Sequence, residues 1–128
     1  MTPLVNEWIE KAEADFATAG REIRARKSLN YDAVCFHAQQ CAEKYLKALL
    51  QQANISFPKT HNLLEILDLI LTIDPTWELF RPNLALLTSF AVNLRYPGES
   101  ADKATAQNAL ALCRAVRSKA RLTLRLKP

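Results

Sequence analysis

The densest set of chemistry-bearing side chains lies in residues 36–50, FHAQQCAEKYLKALL. His37, Gln40, Lys44 and Lys47 recur at spacings of three, four and three, so a helix stacks them on adjacent turns of one side. Two ammonium groups and an amide arranged in this way can hold a phosphate or a carboxylate through charge-assisted hydrogen bonds. A solvated helix surface carries the same pattern. Glu43, four residues before Lys47, also stands at the spacing of a helical ion pair.

The other candidates are scattered. Only two histidines are present, His37 and His61, and Cys35, Cys41 and Cys113 form no Cys-x-x-Cys pair. No zinc-ligand spacing exists, no metal is expected, and the cysteines are expected as reduced core residues. His61 follows Thr60 at a helix start, where such a pair caps the helix or seats the loop before it. Arg95–Tyr96 precedes Pro97 and admits two roles. It is either structural, with the ring between helices and the guanidinium on carbonyls at a helix end, or a contact for a nucleotide or a partner. Arg114, Arg117, Arg121 and Arg125 fall within about 80° of one another on a helix. Residues 103–128 hold seven basic and no acidic side chains, against ten basic and 13 acidic in residues 1–102. This basic arm suits RNA phosphates or an acidic protein. No aromatic residue interleaves with the arginines, so base stacking there is not expected.

Five helical segments and no strands are expected to position these groups. The first spans about 3–26, with Trp8, Ala12, Phe16, Ala19 and Ile23 as its apolar stripe. The second spans about 31–53 behind Asn30, a residue type favoured as an N-cap. Pro58 interrupts the chain before a third helix over about 61–72, capped by Thr60. A fourth segment over about 76–94 contains Pro82 and should form two pieces. A fifth spans about 101–124 behind Ser100. Short connections imply antiparallel neighbours, hence an all-α, up-and-down bundle of about five helices. On a wheel the second helix has one apolar sector of about 140°, from Tyr31 to Leu49. Phe36, Gln40, Glu43 and Lys47 fall opposite. That back face is either solvated or packed against another chain, with Phe36 as the anchor inside a polar rim.

Composition agrees with this reading. The chain has 128 residues, is 49% apolar and 23% charged, and contains only two glycines, too few for a turn-rich β fold. One domain over residues 1–128 is expected. No run approaches the ~18 apolar residues of a membrane span. The first residues lack the basic and apolar regions of a signal peptide, so a cytoplasmic protein with no membrane partner is expected.

Four segments in order carry a family resemblance: WIEKAEADFATAG (8–20), YDAVCFHAQQCAEKYLKALL (31–50), KTHNLLEIL (59–67) and NLRYPGE (93–99). The stretch 31–50 is similar to a Q-x-x-E-K-x-L-K-A-L-L core, 59–67 to a T-H-x-L segment, and 93–99 to an R-Y-P motif. Together they resemble the HEPN family, helical domains named for nucleotide binding in higher eukaryotes and prokaryotes. The resemblance implies a bundle of about five helices, a homodimer formed through the central helices, and a small nucleotidyltransferase as partner. Several such pairs act as toxin–antitoxin systems, and some members are metal-independent ribonucleases. Taken together with the polar row of the second helix, it makes Lys44, Lys47, His61, Arg95 and Tyr96 the candidate nucleotide or phosphate contacts, with a nucleotide as the candidate ligand and no certain cofactor. It favours the partner reading of the back face of the second helix, with Phe36, Gln40 and Glu43 as dimer contacts, and the row Arg114, Arg117, Arg121 and Arg125 is offered for RNA. The ribonuclease pattern, an Arg followed after four to six residues by a His, is absent, because YPGESAD follows Arg95. The chain is therefore read as a binding module. The alternative is a divergent ribonuclease using Arg95 with His61 or His37.

Overall fold

Short polar side chains start most of the helices. In the computed structural model, which describes residues 1–128, Thr2 accepts a hydrogen bond from the Val5 amide and opens α1 (Pro3–Arg24). Asn30 accepts from Ala33 N and opens α2 (Tyr31–Gln52), as expected. The cap of α3 (Leu63–Ile70) is Asn62, not Thr60. The Thr60 hydroxyl instead accepts from the Asn62 amide, and this leaves His61 in the loop ahead of the helix. Asp74 starts a 3-10 helix, Pro75–Phe80, which leads directly into α4 (Arg81–Asn93). Pro82 sits in the first turn of α4, where a missing amide hydrogen costs nothing, so the fourth segment is two pieces. Asp102, rather than Ser100, caps α5 (Lys103–Thr123) by accepting from Thr105 N.

α2 is the central helix, packed against α1, α3, α4 and α5. Contacts 15 to 44 and 8 to 47 set α1 antiparallel to α2, whereas 32 to 101 and 45 to 121 set α5 parallel to α2. Twenty-eight buried apolar residues, drawn from every helix, form one core cluster. Val34, Cys35, Ala38, Cys41, Ala42, Tyr45, Leu46 and Leu49 of α2 are buried in it, as its periodicity requires. Two cross-links hold the ends in place. Asp32 accepts from Ala101 N at 2.7 Å, and the Thr88 hydroxyl accepts from Leu63 N at 3.1 Å. No helix is long and apolar enough to cross a membrane.

The expected back face of α2 needs correction. Glu43 and Lys47 are 3% and 6% exposed. Trp8 of α1 and Phe57 of the loop after α2 cover them, with the Lys47 ammonium 5.6 and 5.9 Å from the two ring centres. Only the N-terminal part of that face is open, where Phe36 is 40% exposed. A single-helix wheel cannot register covering residues supplied by α1 and by a loop.

Candidate functional site

The polar row on α2 folds into two ion-paired groups. Asp15 of α1, itself 8% exposed, lies 2.7 Å from His37 Nδ1 and 2.5 Å from Lys44 Nζ. One turn further, Glu43 accepts from Lys47 Nζ at 3.1 Å and from Gln39 Nε2 at 3.2 Å, and lies 3.0 Å from His61 Nδ1. The Gln39 amide also donates to the His61 carbonyl, and this seats the loop against α2. Burial of a carboxylate among three nitrogen partners satisfies it where water does not reach.

Beside this network a cleft of about 540 Å³ opens between α1, α2 and the loop, lined by Lys44, Lys47, Lys59, His61, Trp8 and Phe57 together with Gln40 and Glu43. Trp8 and Phe57 meet edge to face at 6.1 Å, and the Trp8 indole nitrogen has no hydrogen-bond partner. Lys59 is exposed and forms no ion pair. Ammonium groups, an imidazole and two aromatic rings give the cleft the means to hold an anionic group next to a planar one. Trp8, Phe57 and Lys59 were not among the residues expected to act. Trp8 belongs by spacing to the α1 core stripe, and nothing in the spacing of Phe57 or Lys59 ties them to α2.

Arg95 and Tyr96 lie elsewhere. Arg95 lines a separate groove of about 280 Å³ with Asn30, Phe36, His37, Phe90 and Leu94. The five expected contact residues therefore divide, with Lys44, Lys47 and His61 at one concavity and Arg95 at another. Tyr96 is 64% exposed, so the first of its two open roles, a ring buried between helices, is not the one the fold gives it. Arg95 and His61 face different concavities, whereas His37 shares the groove with Arg95.

The basic arm is also divided. Arg117 donates two hydrogen bonds to Glu13, at 2.7 and 2.8 Å, and its guanidinium holds the Glu13 carboxyl below the usual carboxylate range. Tyr45 donates to the same carboxylate at 2.6 Å, and Arg121 donates to the Tyr45 hydroxyl at 2.9 Å. Arg117 and Arg121 thus hold α5 against α1 and α2, while Arg114 and Arg125 remain exposed. An aromatic residue does meet the row, since Phe16 of α1 lies under Arg117 at 4.5 Å. The cysteines are buried and free. Burial pushes the Cys35 thiol up to about 11, and the neighbouring Cys113 and burial raise Cys41 well above its ordinary value. Neither is a thiolate nucleophile at neutral pH. No three metal-ligating side chains converge.

The family comparison accords with this architecture: the model for the HEPN domain matches residues 5–122. The chain belongs to the HEPN family. No curated protein and no solved structure matches it. Two of the HEPN-like segments meet in space. Glu43 of the Q-x-x-E-K segment and His61 of the T-H-x-L segment are the pair joined at 3.0 Å. In this HEPN domain those motif residues build the wall of the cleft.

Proposed function

We propose that this HEPN domain is a homodimeric binding module, partnered by a small nucleotidyltransferase in the manner of a toxin–antitoxin pair, whose cleft receives the phosphates of a nucleotide. The observation that carries the reading is the cleft itself, which sets the unpaired Lys59 ammonium and the exposed His61 ring beside Lys44, Trp8 and Phe57, with Lys47 enclosed in its pair with Glu43. The cations suit phosphate oxygens and the rings suit a base. The nucleotidyltransferase partner rests on the family resemblance.

The dimer reading rests on the second groove. Phe36 stands at its lip, Phe90, Ala91 and Leu94 form its apolar wall, and Val92 nearby is 54% exposed. A patch that carries both a projecting ring and an apolar hollow is self-complementary, as a two-fold interface requires. Gln40 supplies the polar rim, whereas Glu43 is enclosed by its own chain. Light scattering of the wild type is expected to give twice the 14.4 kDa chain mass, and Phe36→Asp to give the single-chain mass. A monomeric wild type contradicts the dimer.

One observation favours a second reading, a ribonuclease built on Arg95 and His37. Asp15 holds His37 at Nδ1, so the neutral ring keeps Nε2 as an acceptor able to take a proton, in the groove that Arg95 also lines. The binding-module reading predicts no cleavage of single-stranded RNA in EDTA by the wild type. Cleavage that disappears in both His37→Ala and Arg95→Ala proteins favours the enzyme instead.

A further inference from the structure

The C-terminal half of α1 and the middle of α5 enclose a hollow of about 200 Å³ lined by Phe16, Gly20, Arg21, Arg24, Leu110 and Arg114. It is separate from the lysine cleft and from the Phe36 groove. No carboxylate lines it, and none of its three arginines forms an ion pair. Every other arginine in a helix has a carboxylate within reach: Arg81 has Asp68 and Glu78, and Arg117 and Arg121 share Glu13. Three guanidinium groups around one concavity repel each other in the absence of an anion.

Their arrangement is held from both helices. The Arg114 guanidinium lies 5.8 Å from the centre of the Phe16 ring, and Arg21 donates to the Thr18 hydroxyl at 3.1 Å. Arg24 folds back along α1 over Gly20, where an added Cβ would lie 3.1 Å from its terminal nitrogen. Glycine inside a helix is less favourable than alanine. Here it leaves space for the Arg24 head group against the helix.

We infer that this hollow is a binding site for the terminal phosphate monoester of a nucleic acid strand. Three arginine forks match the three terminal oxygens and double charge of a phosphate monoester better than the two oxygens of a carboxylate or a phosphodiester. The volume is below the ~300 Å³ at which ligand pockets begin, so the hollow takes the phosphate and leaves sugar and base outside. What favours a strand is the helix it sits on. Arg114 shares α5 and its tail with Lys103, Arg125 and Lys127, all exposed and without ion pairs, in a segment that has no acidic residue. These cations extend beyond the hollow along α5 and its tail, and a phosphate backbone can follow them.

The test uses fluorescence anisotropy of a 3′-labelled RNA decamer carrying either a 5′-phosphate or a 5′-hydroxyl. The wild type is expected to bind the phosphorylated strand at least tenfold more tightly. The Arg24→Ala, Arg114→Ala double variant, in which both side chains are exposed and removable without opening the core, is expected to bind both strands equally and weakly. Competition by AMP but not adenosine would show that the free monoester enters the same hollow. Equal wild-type affinity for the two strands, or a preference that survives in the double variant, overturns the proposal. So does a phosphoserine peptide binding as tightly as the phosphorylated RNA, since the hollow would then serve a protein. The cleft is not altered in this experiment, so its reading stands or falls separately.

Discussion

Replacing Lys47 with alanine is expected to destabilise the fold by about 3–5 kcal/mol, the usual cost of leaving a buried charge without its partner. Lys47 and Glu43 are both enclosed, with side chains 7% and 3% exposed, and their 3.1 Å pair lies under Trp8 and Phe57. Without the ammonium, Glu43 keeps only the Gln39 amide and the His61 ring. The urea midpoint reads the effect. Adding Glu43→Gln to Lys47→Ala removes the stranded charge while keeping a hydrogen-bonding side chain, and should recover most of the loss. A Lys47→Ala midpoint equal to wild type would mean that Glu43 reaches water, contrary to its burial.

Trp77→Ala is expected to cost a similar amount, about 3–5 kcal/mol, by a different route. Trp77 is 1% exposed, and it is the residue that fastens the 3-10 segment to the core. Its ring packs on Phe80 at 4.9 Å and lies beneath the Lys119 ammonium at 5.2 Å. A segment of six residues has too few hydrogen bonds to hold its own conformation, so the cavity left by alanine loosens the junction into α4. Denaturant unfolding measures the loss. Because Trp77 lies outside the cleft, nucleotide affinity of the folded variant should match wild type.

The architecture was legible because helix periodicity and proline placement are local signals. The apolar sector of α2, the Asn30 cap and the two-piece fourth segment all follow from neighbours in the chain. Boundaries were less legible where several residues compete for one role. Asn62 and Asp102 took the caps expected of Thr60 and Ser100, since each places an acceptor on an amide of its helix's first turn, whereas Thr60 bonds Asn62 ahead of the helix. The site was legible only in part. The Glu43–Lys47 pair was visible as an i, i+4 spacing, but its burial depended on Trp8 and Phe57, one far away in sequence and one in a loop. Asp15 gave no sign that it would join His37 to Lys44, because its partners stand 22 and 29 residues later. By spacing the α5 arginines form one row, and Glu13, 104 residues from Arg117, is what divides them.

Calorimetric titration of ATP tests the central claim most directly. Saturable binding at the cleft is the predicted result. Lys59→Glu, which changes an exposed residue with no ion pair, should weaken it roughly tenfold, about 1.4 kcal/mol. The Arg24→Ala, Arg114→Ala protein should keep the Lys59-dependent part of ATP binding, since those residues lie outside the cleft. Absence of saturable binding at millimolar ATP, or binding indifferent to Lys59→Glu, would contradict a nucleotide site in the cleft.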